Sequence, residues 1–301
     1  MIFLLFFGKT NKYENKSVQI MSYAHPEVLV DTEWVSKNPP NEKRKLVEVD
    51  YDPVNGYQKG HINGSSLIWW KRDINDPITR DIVSKKEFEA LMAKNGITAD
   101  TEVILYGDFN NWFAAFAFWV FKIYGHENLK IMDGGRKKWE LENKDYTTDE
   151  PRLSPSTYVA QPPDEGLRAY LFDVSRALGK EESVMVDVRS PAEFTGQITA
   201  PPEYPMEHAQ RGGHIPDANN IPWATAVNDA DGTFKAVEEL RQNYEPKGVT
   251  PDKDVICYCR IGERSSHSWF VLKYLLGYPK VRNYDGSWTE WGNMIGNPVE
   301  K

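Results

Sequence analysis

Laid on itself, the 301-residue chain repeats. Val103-Ile104-Leu105-Tyr106-Gly107 aligns with Val255-Ile256-Cys257-Tyr258-Cys259 at a displacement of 152 residues. The same displacement carries Gly125 onto Gly277, Asp133-Gly134 onto Asp285-Gly286 and Trp139 onto Trp291. Upstream, Gly60-His61-Ile62 meets Gly213-His214-Ile215 at a displacement of 153, and Trp70 then meets Trp223. A drift of one residue over that distance is a loop insertion. One folding unit is used twice, and the chain is in any case long for a single core.

Each copy alternates strand-like and helix-like patterns, which predicts an α/β fold. In the second copy, Val184 to Val188 reads as a strand, Pro191 to Phe194 as a short helix, and Asn220 to Trp223 as a strand or strand edge. Val237 to Tyr244 reads as a helix, Val255 to Tyr258 as a strand buried on both faces, and Ser266 to Leu276 as a helix ending near Gly277. Lys280 to Tyr284 closes as a last strand. The first copy runs in parallel, with strands at Leu46–Val49 and Val103–Tyr106 and helices at Lys86–Lys94 and Trp112–Tyr124.

Two domains are expected at residues 26–145 and 169–301. The linker, 146–168, lies in a stretch rich in Pro, Ser, Thr and charge that shows no sustained period. Residues 1–25 read as a disordered extension. Its apolar run Met1–Phe7 is too short to span a bilayer and has neither a basic region before it nor a small-residue cleavage site. Met21 is an alternative start, because Val28-Leu29-Val30 begins the first strand pattern.

The net charge of −8 argues against nucleic acid or an anionic membrane surface as partner. Only 2 cysteines argue against a disulfide scaffold and for a reducing compartment, so the cytoplasm is expected. The two sit two apart in an extended segment and face opposite ways, so neither a disulfide nor a zinc site between them is expected. A fused pair of domains also removes one reason to dimerise, and a monomer is expected.

The chemistry concentrates in Cys259-Arg260-Ile261-Gly262-Glu263-Arg264-Ser265, between the strand and the helix that follows. A cysteine there meets the helix N-terminus and free loop N–H groups, which stabilise a thiolate, and two arginines add positive charge. Cys257 lacks that setting and reads as core. At the same positions the first copy has Gly107 for Cys259, Asp108 for Arg260 and Trp112 for Arg264. With the thiol and both cations gone, the first copy is expected to be structural, walling one side of the cleft.

These residues resemble the rhodanese family, specifically its two-domain thiosulfate sulfurtransferases. The resemblance runs from about Pro26 to Met294. It rests on the loop at 259–265, Asp285-Gly286-Ser287-Trp288, Gly213-His214-Ile215-Pro216, and Asp187-Val188-Arg189 with Glu193-Phe194. It implies tandem rhodanese-like domains, each a mostly parallel central sheet flanked by helices on both faces, with only the second catalytic. It further implies that Cys259 takes the outer sulfur of thiosulfate as a persulfide, releases sulfite, and passes the sulfur to cyanide or another thiophilic acceptor. Neither cofactor nor metal is implied.

In that scheme Arg260 and Arg264 bind the sulfonate, and the N–H groups of Ile261, Gly262 and Glu263 cradle the sulfur. Asp187, Arg189 and Ser265 support the loop. One departure is Glu193, where several animal members have a pocket arginine; Arg264 is the candidate replacement. Mercaptopyruvate-using relatives have small residues in place of the loop arginines, so two arginines favour a dianion. Glu263 beside a thiolate is unfavourable unless it points outward or pairs with an arginine. His214 in its turn reads as structural, and His267 as packing or facing solvent. A phosphatase of this fold places its arginine one position further along the loop than Arg264.

Overall fold

The computed structural model describes residues 22–201 and 208–301. The run Met1–Phe7 and the alternative start at Met21 lie outside the described residues. In the first half, β1 (Leu29–Val30), β2 (Arg44–Asp50), β3 (Ser66–Trp69), β4 (Glu102–Tyr106) and β5 (Leu129–Met132) form one sheet in the order β1-β5-β4-β2-β3. In the second, β6 (Ser183–Asp187), β7 (Asn219–Asn220), β8 (Asp254–Tyr258) and β9 (Val281–Tyr284) order as β7-β6-β8-β9. Every pairing in both sheets is parallel.

The helices of the first half are α1 (Thr32–Lys37), α2 (Trp70–Asp73), α3 (Lys85–Lys94), α4 (Trp112–Ile123) and α5 (Gly135–Leu141). Those of the second are α6 (Leu171–Ala177), α7 (Pro191–Phe194), α8 (Val237–Tyr244), α9 (Glu263–Phe270) and α10 (Ser287–Asn293). The central strands β4 and β8 are buried over their last four residues, which is why both read as unbroken apolar runs.

The two sheets share one plan. Strands β5-β4-β2-β3 correspond to β9-β8-β6-β7, with Tyr106 opposite Glu48 and Tyr258 opposite Asp187. The outer strand β1 is reduced in the second half to a single parallel bridge, Arg168 with Asn283. The Gly-His-Ile repeat also has one job in both copies. Ile62 N–H donates to Tyr106 Oη and Ile215 N–H to Tyr258 Oη, each at 3.1 Å. His61 stacks on Tyr57 and His214 on Phe194, and Nδ1 of each histidine bonds the carbonyl oxygen of the residue it stacks on, at 3.0 and 2.9 Å. Imidazoles so engaged with backbone are structural.

Helix α4 is buried from Phe113 to Ile123, an apolar cylinder with no solvent face. One side lies on the first sheet and the other against α9. The two helices occupy equivalent places in the repeat, and residues 152 apart meet between them. Phe118 crosses Phe270 edge to face at 4.9 Å, and the Arg264 guanidinium lies 5.9 Å from the Trp112 ring. The halves therefore pack as an isologous dimer packs across a two-fold axis. One apolar core runs through both, from Val47 and Phe116 to Val255 and Leu272.

Two expectations need correction. The helix after the cysteine loop begins earlier than Ser266, because Gly262 at φ 104 turns the backbone into α9 at Glu263. After Phe270 it widens into a π turn over Val271–Leu275 before Gly277, at φ 74, ends it. In addition, the described end of the extension expected to be disordered is held in place. Ala24 and His25 donate their N–H groups to the carbonyls of Leu275 and Tyr274, and the Tyr23 hydroxyl donates to that of Lys235. These contacts tie the start of the first half to the second.

Phe118→Ala should cost about 3–5 kcal/mol, the usual range for an aromatic lost from a core. Because its contacts cross the axis, denaturant melts should still show one transition for both halves. Two separate transitions in the unaltered chain would contradict a shared core.

Candidate active site

Cys259 follows directly on β8, and its side chain is fully buried. The groups nearest its sulfur are polar. Gly262 N–H donates to Sγ at 3.1 Å, and Sγ lies 3.6 Å from Glu263 Oε2. The Ser265 hydroxyl donates to Asn283 Oδ1 at 2.7 Å and sits 3.6 Å from Sγ. Behind the cysteine, its own N–H donates to Ser287 Oγ at 3.1 Å, and Trp288 N–H donates to its carbonyl at 3.1 Å. The loop is thus held on both sides by the Asp285-Gly286-Ser287-Trp288 turn.

Gly262 is required at its position. A Cβ there would stand 2.7 Å from the Asp285 Cβ, and φ 104 is a conformation side chains rarely adopt. The resulting bend directs the Gly262 N–H and the first turn of α9 at the sulfur, where partial positive charge favours an anion.

The arginines divide. Arg260 is almost completely buried on the loop. Arg264 is not aimed at the sulfur. Its Nη1 and Nη2 donate to the two oxygens of Glu193 at 2.9 Å each, a bidentate pair buried on both sides. Burial alone pushes the Glu193 carboxyl up, but the hydrogen bonds and charge of Arg264 outweigh it and bring it down to about 2. Arg264, expected to bind the sulfonate, is thus already paired with Glu193. A guanidinium buried to this degree needs a counter-charge, and α7 supplies one.

Glu263 takes the second of its two expected arrangements and faces an arginine. Beyond any contribution from its N–H, it is buried at 2% exposure with Oε2 toward Sγ and Oε1 3.7 Å from Arg264 Nε. Ile261, also expected for its N–H, has its carbonyl held from the first half, where Arg80 Nη2 donates to it at 2.9 Å. Asp187 and Arg189 form an ion pair that is wholly buried, with Arg189 also bonding the Gly213 carbonyl at 2.8 Å. Cys257 is core, its thiol pushed well up by burial and by Cys259.

Sequence reasoning missed two contributors, and His267 takes the packed place expected of it. Arg80 and Asp81 come from a first-half turn capped by Asp76, and Asp81 joins Asp285 in pairing with Arg168. Such contacts carry no local signal. His267 fills a buried place between Trp223 and Phe234, with ring centroids at 5.6 and 5.0 Å, and burial lowers it to about 3.

The equivalent place in the first half is acidic. Strand register puts Glu48 where Asp187 stands and Asp50 where Arg189 stands. Asn111 Oδ1 accepts the Gly107 N–H at 3.0 Å. Burial, and then the charge of Asp50, push Glu48 up to about 8 and Asp108 up to about 7. A thiolate would be opposed there.

Both Glu193 and His267 make acid destabilising, with the same sign. Glu193 lies below its ordinary 4.5, so its contribution is present above that pH and is lost as pH falls toward about 2. His267 lies below 6.5, so the unfolded chain takes the proton first and stability declines below pH 6.5. Each slope approaches about 1.4 kcal/mol per pH unit. Glu193→Gln should flatten the lower limb and cost about 3–5 kcal/mol at neutral pH by leaving Arg264 uncompensated. Denaturant melts across the acid range check both; an unchanged neutral stability would show the pair to be dispensable.

The profile of the rhodanese-like domain family matches residues 31–142 and again 173–294. The sulfur carrier protein TtuD of Thermus thermophilus is 55% identical over 284 residues, covering 93% of this chain and 99% of that one. A protein of Mycolicibacterium smegmatis provisionally named thiosulfate sulfurtransferase is 50% identical over 277 residues, 92% of this chain and 99% of that one. Among solved structures, the anaerobic ergothioneine biosynthesis enzyme of Chlorobium limicola, in complex with trimethyl histidine, superposes with a TM-score of 0.80. Its identity is 25%, over 92% of this chain and 71% of that one.

Proposed function

The chain belongs to the rhodanese family of sulfurtransferases, and we propose on that basis that Cys259 carries sulfur from thiosulfate to a thiophilic acceptor. The observation that supports this reading best is the sulfur itself, buried at the mouth of β8 with the Gly262 N–H 3.1 Å away at the start of α9. The nucleophile is the thiolate, because the thiol is a poor one. It attacks the outer sulfur of thiosulfate, the S–S bond breaks, and sulfite leaves with the electron pair. The persulfide anion that remains inherits the loop N–H groups. An acceptor such as cyanide then attacks the outer sulfur, and Cys259 leaves as thiolate.

Arg260 binds the sulfonate in this reading, while Arg264, clamped by Glu193, braces the loop. The second arginine is thus a positional one, and Arg260→Ala should raise KM for thiosulfate more than it lowers kcat. Relatives named for thiosulfate, together with Arg260 on the loop, favour thiosulfate over 3-mercaptopyruvate.

The test compares the two donors. With thiosulfate the protein should release sulfite and gain the mass of one sulfur, and Cys259→Ser should do neither. Faster loading from 3-mercaptopyruvate would reassign the donor, and turnover surviving in Cys259→Ser would end the proposal. A second reading, favoured by the TtuD relative, keeps the persulfide but makes a protein thiol the acceptor. Loaded protein that survives gel filtration and discharges to a thiol faster than to cyanide would select it.

A further inference from the structure

We propose that Glu263 is the base that takes the thiol proton of Cys259 as sulfur is loaded; this rests on the sulfur-transfer reading above. The side chain begins α9 and is buried, and its two oxygens are differently occupied. Oε1 faces Arg264 Nε at 3.7 Å, which orients the carboxylate, and Oε2 faces Sγ at 3.6 Å. Arg264 is itself fixed by Glu193. The chain Glu193–Arg264–Glu263–Cys259 therefore aims one carboxylate oxygen at the reacting atom.

A fixed negative charge beside a nucleophile that must become negative would oppose the reaction. A buried carboxylate at this distance is useful if the two groups share one proton. In the resting site Glu263 is ionised and Sγ carries hydrogen. During loading the proton passes to Oε2, the Sγ electron pair attacks the outer sulfur of thiosulfate, the S–S bond breaks, and sulfite departs with its pair. The loaded site then holds neutral Glu263 and a persulfide anion. When an acceptor removes the outer sulfur, Cys259 leaves with the bonding pair and recovers the proton. The buried pair carries one negative charge at every stage, so neither half-reaction buries two.

This assigns Glu263 an effect opposite in sign to that of simple repulsion. Removing a repelling charge would speed attack on a dianion; removing a base slows it. Glu263→Gln should therefore slow both the first release of sulfite from thiosulfate and alkylation of Cys259 by iodoacetamide at neutral pH, by on the order of 10²-fold. Glu263→Asp should recover part of the loss. Rates equal to or above those of the unaltered protein would overturn the assignment. If the unaltered protein releases no sulfite, the donor reading fails, and alkylation still scores Glu263. A measurement without loop substitution guards against misfolding. The Raman S–H stretch that Cys259→Ser removes should lie at the low frequency of a hydrogen-bonded thiol. Absence of any such band would mean the proton has already left, and Glu263 would not be its acceptor.

Discussion

Everything at the site depends on α4 pressing against α9. The first is the helix behind the empty loop of one half, the second the helix behind the cysteine loop of the other, and they meet as equivalents across an internal two-fold axis. Phe118 and Phe270 fill the axis, so α9 is packed against the first half, and the loop at its N-terminus is anchored with it. The first half has no reactive thiol at Gly107, but it supplies the apolar surface that buries α9, the Trp112 ring near Arg264, and Arg80 on the Ile261 carbonyl. Loss of the thiol in one copy left a buttress for the other.

Burial on this scale forces charges into pairs. Asp187 holds Arg189, Glu193 holds Arg264, and Asp285 with Asp81 holds Arg168. Each removes the penalty of an isolated charge in a poorly hydrated interior. Beside these paired charges, fixed dipoles, the Gly262 N–H and the start of α9, add positive potential at the sulfur, and their neutrality costs little to bury. This differs from the open, doubly basic pocket that the loop composition alone suggests.

The elements themselves were legible because buried parallel strands and helices write period and punctuation into the chain. β4, β8, α8 and the Gly-His-Ile turns lie where pattern places them. The start of α9 was not, since a helix beginning with Glu-Arg-Ser directly after glycine has no apolar phase to reveal it; only the φ of Gly262 does. The π turn after Phe270 also has no sequence sign; its Tyr274 and Leu275 carbonyls accept the N–H groups of His25 and Ala24, far away in sequence.

By itself, the sequence determined that one α/β unit is used twice, that only the second has a thiol at the strand end, and which residues form its loop. These are consequences of local pattern and of comparing one half with the other. Tertiary structure decided what the loop's charges do. Whether Arg264 meets a substrate or Glu193, and whether Glu263 faces water or the sulfur, turns on side chains brought together from separate parts of the chain. In a buried site, the cost of an unpaired charge selects the partner, and that selection is made in space.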